Sequence, residues 1–161
     1  MNSSWIRTKG IVVRGHRAAS QPTEAYPYPT LEKQNIPFKE RGLNLDHYYQ
    51  ATLNVSIKPH VVKREKPLLT LSKVEWTDRH PPEDFSFSPC NVWFNGTSYH
   101  GMIYYPHPET KIRMEQDSSV LEILVEQKLD IDYDDEVELE FNGDEFSAHV
   151  PTENRSLNTD D

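Results

Sequence analysis

The sequence predicts an all-β fold, a small barrel or sandwich with little helix. Three observations lead there. Apolar residues recur at every second position through several short segments. Turn signals such as Asn95-Gly96 and Asn142-Gly143-Asp144 separate those segments at short intervals. No long stretch carries the 3.6-residue spacing of an amphipathic helix, and no internal repeat recurs at a fixed period. The pattern gives six or seven short strands in one domain over residues 8–150, with a tail at 1–7 and a polar, acidic and disordered tail at 151–161.

In chain order, Thr8 to Arg14 holds the β-branched run Ile11-Val12-Val13 between Gly10 and Gly15, the first expected strand. A small, basic and then proline-rich loop follows, with Pro22, Pro27 and Pro29. Thr30 is placed to cap a short helix through Leu31, Ile36 and Phe38, which Pro37 should end or kink. Ala51, Leu53, Val55 and Ile57 alternate with Thr52, Asn54 and Ser56, as in a half-buried strand. Lys58 to Lys66 is basic and contains proline, so a loop is expected there. Pro67 to Trp76 resumes a strand. Ser88 to Phe94 and Ser98 to Tyr105 form a hairpin around Asn95-Gly96. Ser119 to Glu126 is a strand too continuously apolar for an exposed edge. Glu136 to Phe141 alternates Val137, Leu139 and Phe141 against three glutamates, and Glu145 to Val150 closes the set.

Composition excludes several classes. The formal net charge of -9 argues against general binding to nucleic acid or to an anionic membrane, which needs clustered Lys and Arg. Cys90 is the only cysteine, so neither an intramolecular disulfide nor a cysteine-based zinc site can form within one chain. No apolar run reaches the ~20 residues of a membrane span. A reducing, cytoplasmic location is the expectation, and the glycosylation-like triplets at Asn54, Asn95 and Asn154 read as chance.

Three places carry possible chemistry. Thr52 and Asn54, two residues apart on one strand, point their oxygens the same way and could share a hard cation or a phosphate; an ordinary solvated strand face has the same pattern. The loop that opens at Gly15, with Arg14, His16 and Arg17, could hold a phosphate through backbone N–H groups and side-chain cations, or could be a solvated basic turn. Glu122 sits inside an apolar strand, where a carboxylate points outward, pairs with a cation or performs chemistry. The remaining features are discounted. His100 and His107 lie across a proline break and do not read as a metal pair, no nucleophile elbow accompanies the serines, and the acidic run from Asp130 to Glu140 lacks the glycine and ligand spacing of a calcium loop.

The order Gly10-Ile11-Val12-Val13-Arg14-Gly15, Ala51-Thr52-Leu53-Asn54-Val55, Pro106 to Thr110, Val120-Leu121-Glu122-Ile123-Leu124 and Asp134 to Leu139 resembles the archaeal CTP-dependent riboflavin kinase family over most of residues 10–141. The resemblance implies a six-stranded antiparallel cradle-loop β-barrel related to the flavokinases, with CTP as phosphoryl donor and riboflavin as acceptor. It implies that Thr52 and Asn54 hold Mg2+ with the nucleotide, while Gly10, Arg14, Gly15 and Arg17 attend the phosphates. Glu122 is then the base for the riboflavin 5′-hydroxyl, an assignment from position and chemistry. The chain departs from the family pattern at Arg17 and Ala19, where glycines are expected, and at Gln50-Ala51, in place of proline and glycine.

Fold does not fix function, so two other classes stand beside the kinase. One is a non-catalytic barrel that binds a nucleotide, a flavin or another small ligand. The other is a partner-binding module using Trp76, Trp93, Phe94, Tyr99, Tyr104 and Tyr105, aromatic residues that more often belong to a core. Oligomeric state has no signature in the sequence.

Overall fold

The computed structural model describes residues 4–14, 30–76, 81–108 and 118–151. Among them are nine strands and one helix: β1 (Trp5–Val12), α1 (Thr30–Glu40), β2 (Leu53–Ser56), β3 (Val61–Arg64), β4 (Leu69–Val74), β5 (Glu83–Phe94), β6 (Thr97–Pro106), β7 (Val120–Val125), β8 (Glu136–Asn142) and β9 (Phe146–His149). Six of these strands close on themselves. The order β5-β6-β7-β2-β1-β8 returns to β5 through the β5–β8 pairing, which makes a closed antiparallel barrel.

The length of β5 lets the sheet close and still carry an extra strand. Its 12 residues span about 40 Å at strand rise. One edge pairs with β6 along its whole length, while the other receives β4 on Phe85 and Phe87 and then β8 on Cys90 to Trp93. The β5–β6 turn at Asn95-Gly96 has positive φ at both residues (52° and 81°), the geometry of a tight two-residue hairpin that matches strand twist. The remaining strands, β3 and β9, form a separate two-stranded ribbon.

The bore is filled by inward residues of alternating strands: Val12, Leu53, Val55, Cys90, Val92, Ile103, Leu121, Ile123, Leu139 and Phe141 are each at most 1% exposed. Gly10 faces this core. A Cβ there would stand 2.4 Å from Val55 Cγ1 and 3.2 Å from Ser56 O, so β1 approaches β2 as closely as it does only because the side chain is absent.

A second core lies outside the barrel wall. Leu31 and Phe38 of α1, with Leu45 and Tyr48 of the following segment, pack on Leu71, Val74, Phe85, Phe87, Tyr104 and Leu124. Phe38 meets Phe85 and Phe87 edge to face, at 5.0 and 5.3 Å between ring centroids.

Several expectations are corrected. β1 begins at Trp5, so residues 5–7 belong to the sheet; Trp5 pairs with Asn142 and Arg7 with Glu140. α1 passes through Pro37 to Glu40. The proline removes one N–H, but fully buried Phe38 holds the last turn, and Gly42 (φ 97°) closes it while Gly42 N–H donates to Lys39 O and Leu43 N–H to Phe38 O. Ile36, expected on the apolar side, is 65% exposed. β3 lies within the stretch read as a loop, because Val61 to Arg64 find partners in β9. The hairpin and the final strands match their predicted types with shifts of a few residues at their ends. The tail at 152–161 lies outside the described residues.

Candidate functional site

The site is built on the outer side of β2 and β7. Leu53 and Val55 point inward, as do Leu121 and Ile123, so Thr52, Asn54 and Glu122 point out. Register does the rest. Asn54 stands opposite Glu122 in the β2–β7 ladder, and Glu122 stands opposite Tyr104 in the β7–β6 ladder. Directly opposed residues of an antiparallel pair hold their Cβ atoms about 5 Å apart, so Asn54, Glu122 and Tyr104 form one continuous polar row across three strands. Thr52 lies beside this row, and its Oγ1 donates to Glu122 Oε1 at 3.3 Å.

Burial differs from the solvated face that alternation alone suggests. Thr52 and Asn54 are each 5% exposed, and Tyr104 is 8% exposed. Tyr104, the far member of the row, belongs to the second core built by α1 and the segment 43–51. Tyr104 donates its hydroxyl hydrogen to Gln34 Oε1 on α1, so the helix joins the polar row directly. The Asn54 carboxamide stands in this row at 5% exposure, directly opposite Glu122.

The segment leading into Thr52 is tightly bonded. Tyr49 N–H donates to Val125 O at 2.8 Å, which fastens the segment to the end of β7. The Tyr48 hydroxyl meets His100 Nε2 at 3.1 Å, and both His47 Nε2 and His100 Nε2 approach Glu126 Oε2, at 3.8 and 4.0 Å. Burial, with a smaller contribution from the Glu126 carboxylate, pushes the Tyr48 phenol up to about 12.

The expected phosphate residues divide. Val13 N–H donates to Asn54 O at 2.9 Å, so the end of β1 runs beside the polar row, and Arg14 follows immediately. The Arg14 guanidinium rests 4.4 Å above the Tyr133 ring and is exposed to solvent. Gly10 is inside the barrel, where its role is close packing against Val55. Gly15 and Arg17 lie outside the described residues. Lys9 sits four residues before Val13, about 13 Å back along the strand, too far to serve the phosphates beside Asn54. It lines a separate cleft of about 290 Å³ with Arg7, Trp93, Asn95, Gly96, Glu136, Val137 and Glu138.

The donor set is compatible with magnesium. Thr52, Asn54 and Glu122 offer oxygen ligands, two neutral and one anionic, on adjacent positions of two paired strands; a hard cation that retains water and takes most of its other ligands from a nucleotide asks for no more. Among the described residues no three His, Cys, Asp or Glu side chains stand together as a metal cage.

Sequence reasoning missed one polar chain. Thr70 Oγ1 and Ser86 Oγ are 2.7 Å apart, Ser86 Oγ is 2.7 Å from His107 Nε2, and His107 Nδ1 is 3.9 Å from Asp84 Oδ2. With Ser86 at 0% exposure, the chain bonds β4, β5 and the end of β6 to one another and gives no access to a substrate. The roles of Gln34 and Tyr104 were also missed, since neither residue has a local pattern that marks it.

No protein-family model matches the chain, and no curated protein matches it. Among the described residues no helix is long and apolar enough to cross a membrane.

Proposed function

We propose that the protein is a phosphotransferase of the CTP-dependent riboflavin kinase type. The observation that carries this reading is the convergence of Thr52 and Asn54 with Glu122, which lies 70 positions beyond Thr52 in sequence, on one outward patch of the closed barrel. Phosphoryl transfer asks a protein mainly to position reactants and offset charge, and a small oxygen-lined row serves both ends. Magnesium, when bound with the nucleotide, neutralises charge on the donor phosphates. Thr52 and Asn54 orient the phosphate end, with Arg14 at the adjacent strand end as the nearby cation. Glu122 accepts the proton of the riboflavin 5′-hydroxyl as its oxygen bonds to the γ-phosphorus, and CDP departs with the electrons of the broken bond.

The burial of Thr52 and Asn54 favours a second reading, a barrel of the same construction that binds a nucleotide or flavin without turnover. One experiment separates the two: incubation with riboflavin and magnesium, in parallel with CTP, ATP and no nucleotide, with chromatographic detection of FMN. FMN formed with CTP supports the kinase. Thermal stabilisation by a nucleotide or flavin with no FMN supports the second reading.

A further inference from the structure

We propose that Gln50 is the positioning residue of this site, a side-chain clamp that fixes the chain carrying Thr52 and ties it to α1. Its consequence for ligand binding rests on the function proposed above; its structural content does not.

The hydrogen bonds determine which way the Gln50 amide points. Its Nε2 donates to Leu45 O and to Tyr48 O, both at 2.8 Å. Main-chain carbonyls only accept, so the nitrogen must face the segment and Oε1 must face away. Oε1 then accepts from Asn35 Nδ2 on α1. Both amide hydrogens and the carbonyl are therefore engaged, by two points on the preceding loop and one on the helix. Tyr48 N–H to Leu45 O and Ala51 N–H to Tyr49 O complete a compact turn, and Ala51, 7% exposed, passes directly into Thr52.

This amide bonds the turn to itself and to α1 at once, beside the Tyr49 N–H bond to Val125 O that fastens it to β7. Residues 47–52 contain neither glycine nor proline, so hydrogen bonds and packing rather than intrinsic backbone preference hold the turn. Three hydrogen bonds from one amide offset part of the chain entropy lost in ordering Gln50, Ala51 and Thr52. Thr52, whose hydroxyl donates to Glu122, follows directly from this turn.

The test is the isosteric change Gln50→Glu, which turns a carboxylate oxygen toward two carbonyl oxygens, with Asn35→Ala as an uncharged second variant that removes only the donor to Oε1. Nuclear magnetic resonance reads the Thr52 side-chain couplings and the exchange protection of the Tyr49 and Ala51 amides. In Gln50→Glu the couplings average over rotamers and protection falls about ten-fold, while the β5–β6 amides are unchanged; Asn35→Ala gives the same changes at smaller size. Mn2+ with CTP, followed by water relaxation, binds the variant about ten-fold more weakly than the unaltered protein. Unchanged Thr52 couplings and amide protection in both variants would overturn the proposal. Failure of the unaltered protein to bind Mn2+ with CTP overturns the kinase reading instead, and the couplings still decide the role of Gln50.

Discussion

Thr52 Oγ1 and Glu122 Oε1 are 3.3 Å apart, although 70 positions separate the two residues in the chain. Their meeting is a product of strand register. A slip of one residue between β2 and β7 would send one of the two side chains into the bore, where Leu53, Val55, Leu121 and Ile123 leave no place for a polar group. The same apolar packing that closes the barrel therefore sets the site.

Gly10→Ala tests that packing. The added methyl would meet Val55 Cγ1 at 2.4 Å within a filled core, so β1 or β2 must shift. Overpacking of this kind costs about 1–3 kcal/mol, and a melting temperature lowered by several degrees is the expected outcome of calorimetry.

Tyr48 gives a dependence on alkaline pH. Its folded phenol is raised from 10.0 to about 12, chiefly by burial and secondarily by Glu126. The folded chain thus keeps a proton that the unfolded chain releases, and the associated stability is fully present below pH 10 and lost as pH rises toward about 12. Ultraviolet titration should show one phenol ionising near the upper value, and Tyr48→Phe should remove that step.

Burial raises the Cys90 thiol far above its ordinary range, and no thiolate is available to react. A thiol reagent should label the native protein only at the rate at which the barrel opens. Rapid labelling under native conditions would contradict a sealed bore.

Ser86→Ala removes the hydroxyl between Thr70 and His107. The His107 imidazole is 6% exposed and loses its contact at Nε2, so a loss of about 1–3 kcal/mol in denaturant unfolding is expected. A double-mutant cycle with Thr70→Val should show that the two changes are not additive.

Much of the barrel was legible from local pattern. Val137, Leu139 and Phe141 alternate without interruption and lie buried in β8, and Asn95-Gly96 supplies the expected hairpin turn, with positive φ at both residues. Two elements were hidden because their stability comes from distant partners. Val61 to Arg64 lie in a basic, proline-bearing stretch and become a strand only against β9. The last turn of α1 survives Pro37 because Phe38 packs between Phe85 and Phe87.

The site was legible only in part. Thr52 and Asn54 carry a spacing that suggests shared oxygens, but the same alternation describes a wet strand, and their burial, at 5% exposure each, is a tertiary property with no local signal. The link to Glu122 has no local signal at all. Glu122 stands out only as a carboxylate inside an apolar strand, and its role is an assignment from position and chemistry; the β2–β7 register places it opposite Asn54.

The most direct measurement is FMN production from riboflavin, CTP and magnesium by the unaltered protein, by the double variant Thr52→Ala with Asn54→Ala, and by Glu122→Gln. The unaltered protein should form FMN. The double variant should form none while keeping its fold, and loss of the base in Glu122→Gln should slow turnover by about 100-fold or more. Turnover retained by the double variant, or absent from the folded unaltered protein, would contradict the assignment of this row of residues to phosphoryl transfer.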